Sequence, residues 1–492
     1  MKKNKLISLA KNNYSSAAVQ SLELAVDFAT NAHKGQKRKS GEDFISHPIN
    51  VAAILIEWQM DIDTVIAGVL HDTVEDCNVS IGEISKAFGE SVAFLVDGVT
   101  KMSKARSGMN DISTYLPRTK DSLSKLLVAV SQDIRVLLVK MADRLHNMRT
   151  LQYLSADKQK KIARETQAIF APLADRIGFG TLRVELEELS FYYIDADEYN
   201  RLKNLAKKEA GALQSTLQTV KKELKNNLKD FDIEHEVDGR AKSIYSLHKK
   251  LKKYNGDMSQ IHDLVALRVI VPDKATCYNV LGLIHAMYQP MLTRIKDYIA
   301  VPKPNGYQSL HTTVITPSQK IVEIQIRSRD MHEHAERGLA AAFHYNESKL
   351  TKNYVKQTVA NVPANLRWVS RLQKLYAQMQ DGERIDPKEL SMDLFADRIF
   401  VYTPRGDIFD LPEGSYPLDF AYAVHSEIGA HALSFKVNNK MCAFDKQLQN
   451  GDVVEVVTRK NITPKQDWLD CVTTAKARQK IRAHLGITSA KH

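Results

Sequence analysis

The apolar and polar residues of the first 200 positions follow a helical period. In "AAVQSLELAVDFATNAHKG" and "HPINVAAILIEWQM" the apolar residues recur every three or four positions, and similar stretches fill residues 16–196. This spacing predicts helices almost throughout, with plausible helix ends at Gly35, Gly89 and Gly178. Residues 197–230 are mostly polar and look like one or two long helices, which predicts a domain boundary.

The pattern changes after residue 230. Strand-like runs follow one another in "IEHEVD", "LVALRVIV", "LHTTVIT" and "KIVEIQIR". Between them lie the helix-like runs "SIYSLHKKLKKY", "KATCYNVLGLIHAMY" and "RDMHEHAERGLAAAFHYNE". This alternation predicts an α/β or α+β domain at about residues 231–348.

The last third of the chain is more polar. Residues 350–392 predict a helical linker, and short strands return from residue 397 in "DRIFVYTP", "IFDLP", "LSFKVN" and "DVVEVVT", with one helix near "PLDFAYAVHSEIG". We therefore expect a multidomain protein with five parts: an all-α domain (1–196), an α/β domain with a helical lead-in (197–349), a helical linker (350–395), a small β-rich module (396–459) and a basic helical tail (460–492).

Composition narrows the class of protein. The chain has 492 residues, 43% of them hydrophobic and 26% charged, which is typical of a folded soluble protein. Its apolar runs are too short for a membrane span or a secretory signal, so we expect no membrane partner. The four cysteines form no CxxC pair, which fits a reducing cytoplasm. The net charge of +11 favours anionic partners such as nucleotides, phosphates or RNA.

A cluster of polar residues interrupts the apolar helices at "AGVLHDTVEDC". If residues 67–76 form one helix of about 100° per residue, His71, Asp72, Glu75 and Asp76 share one face and the apolar residues share the other. Taken alone, this pattern fits a solvated helix face as well as a reaction centre. A second His-Asp pair, at residues 262–263, lacks the helical context and shows that the dipeptide by itself decides nothing.

Two other segments favour a metal centre. His47 lies just before a predicted helix in "RKSGEDFISHP", and Asp143 lies with Asn147 and Thr150 on the helix "VKMADRLHNMRTL". Two imidazoles and two carboxylates suit a divalent transition metal such as Mn²⁺. The order His, His-Asp, distant Asp is similar to that of HD phosphohydrolases. The segments "RKSGE", "HDTVED", "LVDGVTKMSK" and "ADRLHNMRTL" closely resemble the hydrolase domain of long RelA/SpoT-type stringent-response enzymes, which make and destroy guanosine tetra- and pentaphosphate.

The resemblance implies a role for each matching residue. His47, His71, Asp72 and Asp143 would hold one Mn²⁺, which acidifies the water that attacks the 3′-diphosphate. Glu75 and Asp76 would position or deprotonate that water. The nucleotide pocket would be lined by Arg38, Lys39, Ser40, Asn147 and Thr150.

A second constellation lies between residues 240 and 336. Lys242, Ser246, Lys250 and Lys253 recur at helical spacing in "GRAKSIYSLHKKLKKY", at a strand-to-helix junction where backbone N–H groups also point at anions. A solvated basic stripe is the alternative. Asp263 opens the strand that contains Arg268, and strand parity puts the two on opposite faces, so both reach one site only through a bend or bulge.

The loop that follows carries cations and an aromatic ring. Lys303, Asn305, Tyr307 and His311 lie in "RIKDYIAVPKPNGYQSLHTTV", and Glu323 lies between apolar residues of "VEIQIRS". Such a loop can combine a stacking platform with phosphate-binding cations.

These segments resemble the synthetase domain of the same family, which is nucleotidyltransferase-like and transfers pyrophosphate from ATP to the 3′-hydroxyl of GDP or GTP. The resemblance implies that Arg240 and Arg268 sandwich adenine and that Asp263 and Glu323 serve Mg²⁺, with Glu323 also able to activate the hydroxyl. Lys242, Ser246, Lys250 and Lys253 would bind the ATP phosphates. Tyr307 would stack on guanine, with Lys303, Asn305 and His311 around the acceptor nucleotide. The basic "RIKD" loop, with Arg294 and Lys296, is typical of bifunctional members.

Residues 398–458 resemble a TGS domain, a β-grasp module that in this family can touch uncharged tRNA on the ribosome, and His425 matches the expected contact. A structural or regulatory module is the alternative. The sequence ends at His492, without the zinc-finger-like and ACT-type modules usual in long members, so we carry over neither ribosome anchoring nor amino-acid sensing.

We therefore expect a bifunctional synthetase and hydrolase of guanosine tetra- and pentaphosphate. One alternative is a hydrolase with a degenerate synthetase, because Ala342, Phe343 and Asn346 stand where the family usually has His, Trp and Lys. Another is a tRNA- or ribosome-binding regulator with silent sites.

Overall fold

The structure of the protein is a computed structural model that describes residues 1–107, 133–258, 261, 265–303, 305–338, 398–449 and 451–487. The described residues up to 338 belong to one compact unit, and residues 398–487 belong to a second. The predicted linker, Asp263 and the three unusual residues near position 343 lie outside the described ranges. No helix in those ranges is both long enough and apolar enough to cross a bilayer.

Helices build the first part of the chain, as the apolar period predicts. The first seven are α1 (Lys3–Lys11), α2 (Ser16–Ala32), α3 (Ser46–Glu57), α4 (Ile62–Leu70), α5 (Thr73–Asp76), α6 (Ile81–Phe88) and α7 (Glu90–Ser107). After the undescribed stretch come α8 (Ile134–Arg149), α9 (Ala156–Glu165), a π-helical turn (Thr166–Phe170), α10 (Ala171–Arg176) and α11 (Gly180–Ile194). Helices α3 and α4 are buried on nearly all sides and pack against each other and α8.

The single helix predicted over residues 67–76 is wrong in detail. Helix α4 ends at Leu70, His71 and Asp72 form a turn, and α5 begins at Thr73. Side chains bind the carbonyl groups released at this break: His71 Nδ1 lies 2.8 Å from Gly68 O, and Thr73 Oγ1 donates to Leu70 O at 2.7 Å. These local bonds compete with helix continuation and turn His71 into the interior.

One long helix leads from the helical domain to the sheet. Helix α12 (Ala196–Asp230) has 35 residues, so the polar stretch forms one helix. It begins at Asp195, whose side chain accepts a hydrogen bond from Glu198 N. Near its other end, Val220, Leu224 and Leu228 are buried against the sheet of the second domain.

That sheet is mixed. Its elements are β1 (Glu236–Ala241), α13 (Ile244–Lys253), β2 (Val265–Val271), α14 (Lys274–Met287), β3 (Gln289–Pro290), β4 (Lys296–Asp297), β5 (Leu310–Ile315), β6 (Ile321–Ser328) and α15 (Arg329–Arg337). The strand order is β1-β2-β6-β5-β3, with β4 paired to β5, and among the described strands of this sheet only β2 and β6 run parallel. The predicted α/β class is confirmed, although β1 begins three residues later than the "IEHEVD" pattern indicates.

The two faces of this sheet differ in polarity. Leu267, Val269, Ile324 and Ile326 are buried in a cluster that also contains residues of α12 and α14. Because side chains alternate along a strand, the intervening positions face the other way. This opposite face carries the partly exposed residues Arg268, His311, Glu323 and Gln325.

The second unit is small and β-rich. It contains β7 (Arg398–Tyr402), β8 (Ile408–Pro412), α16 (Pro417–Val424), α17 (Ser426–Ala430), β9 (Ala432–Val437), β10 (Lys440–Cys442), β11 (Val454–Thr458) and α18 (Ala475–His484). The basic tail contributes Trp468, Ala477 and Ile481 to the same hydrophobic cluster as the strands. Buried Asp419 of α16 joins the tail to the rest of this unit by accepting hydrogen bonds from Thr473 N and Thr474 N.

Candidate functional site

Three helices bring the first constellation together. His47 lies in the first turn of α3, His71 and Asp72 lie at the break after α4, and Asp143 lies on α8. His47 Nε2 is 3.2 Å from Asp143 Oδ1, and His71 Nε2 is 3.9 Å from the same oxygen. The two carboxylate oxygens of Asp72 lie 3.0 Å from His71 Nε2 and 3.6 Å from His47 Nε2. The four predicted ligands therefore face one point.

The chemistry of this cluster suits a cation. His47, His71 and Asp143 are buried, and one ligand atom of each lies within 4.8 Å of the others. Among the described residues, His71 Nε2 is buried without a well-oriented hydrogen-bond partner. Burial by itself lowers the pKa of His71, but Asp72 and Asp143 outweigh burial and raise it to about 9. A site with so negative a potential, and with nitrogen and oxygen donors, fits a divalent metal ion.

The metal cluster forms part of a cavity of about 660 Å³, within the usual size of a ligand pocket. All five residues predicted to bind nucleotide line it, together with Glu75 and Asp76. Arg38 Nη2 lies 3.4 Å from both Asn147 Oδ1 and Thr150 Oγ1, and Asn147 Nδ2 donates to Asp143 Oδ1 at 2.5 Å. Burial, followed by the charge of Asp72, raises the pKa of Asp76. The cavity thus joins a metal-binding end to a basic wall.

Sequence reasoning missed several residues of this cavity. Leu151, Tyr153, Leu154 and Ile162 add an apolar wall next to Thr150. Two further residues on α8 contact the ligands directly: Lys140 Nζ is 2.6 Å from Asp143 Oδ2, and His146 Nδ1 is 2.7 Å from His47 Nδ1. Their spacing of three residues on either side of Asp143 was a usable signal, because such residues share a helix face.

The second constellation centres on the polar face of the mixed sheet. His311 Nδ1 is 3.3 Å from Glu323 Oε1, and Tyr307 OH is 2.9 Å from His311 Nε2. Buried Arg327, which sequence reasoning missed, donates to Tyr307 OH at 3.0 Å and to Gln325 Oε1 at 3.1 Å. The alternation in "VEIQIRS" could have found it, because Glu323, Gln325 and Arg327 have the same strand parity.

The loop before β5 adds charge to this network. Lys303 Nζ lies 4.8 Å from the ring centre of Tyr298 and 5.2 Å from that of Tyr307. Lys296 pairs in register with His311, and Arg294 lies in the short turn before it. Asn305 Nδ2 donates to Asp175 Oδ1 of the helical domain at 3.3 Å.

Helix α13 differs from the expectation at its N-terminus. Ser246, Lys250 and Lys253 lie on this helix, and Lys242 precedes it. The first N–H groups do point at an anion, but it is the carboxylate of Glu188 in α11, which accepts from Ile244 N and Tyr245 N at 3.3 Å each. Burial raises the pKa of Glu188. In this conformation a protein carboxylate occupies the position where we expected a phosphate.

Helix α15 connects the two constellations. Glu336 Oε1 accepts from Arg268 Nη1 at 2.9 Å, while its backbone carbonyl accepts from Thr181 Oγ1 of the helical domain. Arg337 donates to Gln59 Oε1 of the helical domain at 2.5 Å. Arg240 lies on β1 in register with Ala266, its side chain being outside the described atoms, and Asp263 is undescribed. The structure therefore brings Arg268, Tyr307, His311 and Glu323 to one face of the sheet.

His425 lies at the break between α16 and α17. It is exposed, and its Nδ1 accepts a hydrogen bond from Glu427 N at 3.3 Å.

Three parts of the chain match known families. Residues 25–180 match the HD domain, residues 239–350 match the region found in RelA/SpoT proteins, and residues 399–458 match the TGS domain. The all-α, α/β and small β-rich parts predicted from the sequence thus correspond to three families in the expected order.

Relatives with similar sequences extend this assignment. A GTP pyrophosphokinase of Myxococcus xanthus is 41% identical over 94% of this chain and 60% of its own length. A guanosine-3′,5′-bis(diphosphate) 3′-pyrophosphohydrolase of Aquifex aeolicus is 40% identical over 95% and 64%. The bifunctional (p)ppGpp synthase/hydrolase SpoT of Escherichia coli is 41% identical over 94% and 64%. The chain spans about three-fifths of the length of these relatives. Its three domains, and its identity to these proteins along nearly all of its length, show that the chain belongs to the RelA/SpoT family.

Proposed function

We propose that this protein both hydrolyses and synthesises guanosine tetra- and pentaphosphate. The observation that carries the proposal is the buried cluster of His47, His71 and Asp143, with Asp72 beside it, at one end of a cavity with a basic wall. The relatives named above include enzymes of both directions, which supports two activities in one chain.

In the hydrolase, His47, His71, Asp72 and Asp143 would hold one Mn²⁺. When bound, this ion lowers the pKa of a water molecule and offsets charge that develops on the phosphoryl group. Glu75 and Asp76, which line the same cavity, would orient the water and accept its proton. Water adds to phosphorus, the bond to the 3′-oxygen breaks, and GDP or GTP leaves with pyrophosphate.

The basic wall of the cavity would bind the nucleotide. Arg38 and Lys39 carry the positive charge that a 5′-polyphosphate requires, and Ser40, Asn147 and Thr150 supply neutral hydrogen-bonding groups. Leu151 and Leu154 offer an apolar surface to a base. This division between a metal-binding end and a nucleotide-binding wall would align the 3′-diphosphate with the water.

In the synthetase, the 3′-hydroxyl of GDP or GTP would attack the β-phosphorus of ATP, and AMP would leave. Arg240 and Arg268 would hold adenine, and Tyr307 would stack on guanine beside Lys303, Asn305 and His311. The phosphates of ATP would bind Lys242, Ser246, Lys250 and Lys253, and Arg294 and Lys296 would add positive charge nearby. Glu323 and Asp263 would bind Mg²⁺. The contact between His311 and Glu323 on the polar sheet face supports this arrangement.

A hydrolase with a weakened synthetase is the second candidate. It is favoured by the Glu188 carboxylate at the N-terminus of α13 and by the pairing of Arg268 with Glu336, since both contacts have to change before ATP binds as proposed. For the TGS domain we propose contact with uncharged tRNA through His425.

A nucleotide turnover assay with Mn²⁺ and Mg²⁺ varied separately tests the two activities. We expect hydrolysis of guanosine tetraphosphate to require Mn²⁺ and to stop with chelator. In the Asp72→Ala variant we expect ATP and GDP to yield tetraphosphate with Mg²⁺. Equal hydrolysis with and without chelator would contradict the metal site, and absence of synthesis in Asp72→Ala would leave a hydrolase only. Binding of uncharged tRNA without either turnover would instead support a regulator.

A further inference from the structure

We propose that Lys140 and His146 are positioning residues of the metal centre. Lys140 would make Asp143 bind the ion through Oδ1, and His146 would fix the ring tautomer that lets His47 bind through Nε2. The inference rests on the proposed hydrolase and adds two residues that the family resemblance did not supply.

The contact between His47 and His146 determines where the protons lie. The two Nδ1 atoms are 2.7 Å apart in the interior, so one nitrogen must donate and the other must accept. Binding a metal through Nε2 requires that atom to be unprotonated, which leaves the proton of His47 on Nδ1. His146 must therefore accept through Nδ1 and carry its own proton on Nε2.

A hydrogen bond to Nδ1 also fixes the position of the proton on the His71 ring. Its Nδ1 lies 2.8 Å from Gly68 O, a group that can only accept, so Nδ1 carries the proton and Nε2 faces the cluster. For His71 the backbone supplies the acceptor, whereas for His47 a side chain does. Metal-binding histidines generally donate their second nitrogen in this way, and the partner sets the orientation of the ring.

Lys140 acts on the third ligand. Its ammonium lies 2.6 Å from Asp143 Oδ2, and both side chains are less than a tenth exposed. The other oxygen, Oδ1, faces His47 and His71. The ammonium therefore occupies one carboxylate oxygen and presents the other to the ion. It also adds positive charge beside a ligand set whose two carboxylates would neutralise a divalent ion, which favours an anionic substrate.

One helix carries both proposed positioning residues and one proposed ligand. Lys140, Asp143, His146 and Asn147 lie three or four residues apart on α8, so a single rigid face carries one ligand and the groups that orient two ligands. Loss of such an outer contact typically weakens metal binding by about 10- to 100-fold.

The test measures Mn²⁺ binding by the full chain, with free Mn²⁺ followed by electron paramagnetic resonance. We expect Lys140→Met and His146→Phe to bind about 10- to 100-fold more weakly than the wild type. Lys140→Arg and His146→Gln should recover most of the affinity, because arginine restores the charge and the glutamine oxygen restores an acceptor. His33→Phe is the matched control, because His33 is equally buried but contacts Gln36 and Cys77 rather than a proposed ligand.

Circular dichroism in chelator checks that each variant is folded before titration, and His146→Leu or Lys140→Gln replaces a variant that is not. Wild-type affinity in both Lys140→Met and His146→Phe would overturn the inference, as would a failure of both conservative variants to recover binding. His47→Ala distinguishes a failure of the proposed metal centre from a failure of the positioning roles alone. If it too binds Mn²⁺ like the wild type, the proposed metal centre fails; if it alone loses binding, the centre stands and only the positioning roles are wrong.

Discussion

Replacing Gly338 by alanine should weaken the contact between the HD domain and the synthetase domain. Gly338 ends α15 with φ +55°, and a Cβ at this position would lie 2.6 Å from Gly178 C and Phe179 N and closer still to Ile177 O. Comfortable contacts of this kind need about 3.5 Å, so the backbones would have to separate by roughly 1 Å. The neighbouring atoms belong to the main chain and cannot rotate away.

The expected loss follows from two terms. A backbone with φ +55° and ψ −133° is adopted almost only by glycine and costs alanine about 1–3 kcal/mol, and overpacking adds about 1–3 kcal/mol, so we expect a loss of about 2–6 kcal/mol. Gly256→Ala is the matched control, because Gly256 has φ +84° and no atom of the described residues lies within 4 Å of the place that its Cβ would take. This control should therefore lose only the cost of a positive φ. The difference between the two variants isolates the interdomain contact.

Urea unfolding followed by Trp58 fluorescence measures this difference. Trp58 packs on Phe179 with ring centres 4.7 Å apart, so it reports on the same interface. Replacing Trp368 and Trp468 by phenylalanine leaves it as the single tryptophan. If Gly338→Ala loses no more stability than Gly256→Ala, the close approach of the two backbones does not hold the domains together and the reasoning is wrong.

Three further variants test other parts of the molecule. Asp72→Asn should abolish hydrolysis and leave synthesis unchanged, because it removes a proposed metal ligand from one site alone; parallel turnover assays measure both, and a loss of both would contradict independent chemistry. Arg327→Met should raise the KM for GDP about 10-fold in a hydrolase-silenced background, since it removes the charged donor to Tyr307 OH; an unchanged KM would exclude that role. Asp419→Ala should lower the stability of the TGS unit by about 3 kcal/mol in thermal unfolding, because buried Thr474 N–H loses its acceptor; a loss below about 0.5 kcal/mol would refute this.

Much of the architecture was readable from local patterns. The apolar period predicts the helices of the HD domain, and the change to strand-like runs after residue 230 predicts the mixed sheet. Both patterns arise because each element buries one face, so its period appears directly in the sequence. The break in the helix at His71 could not be predicted from the sequence, because it depends on competition between side-chain and helical hydrogen bonds for the same carbonyl groups.

The candidate site divides in the same way. The types of His47, His71, Asp72 and Asp143 already suited a divalent metal ion, because imidazole and carboxylate groups are ligands of such ions, and the family resemblance implied that they bind one together. Which atom of each side chain faces the ion was not determined by spacing. It depends on Lys140, His146 and the carbonyl of Gly68, whose contacts exist only after three helices have packed.

The sequence by itself determined the order of the domains, the residue types of both candidate sites and the charge that suits nucleotides. Only the tertiary structure decided which sheet face is polar, that Arg327 joins Tyr307, and that the Glu188 carboxylate caps α13. The physical reason is the distance along the chain between the interacting residues. Periodicity and charge are properties of neighbouring residues. Buried ion pairs, backbone contacts and the hydrogen bonds that set ring tautomers can join residues about a hundred positions apart or more.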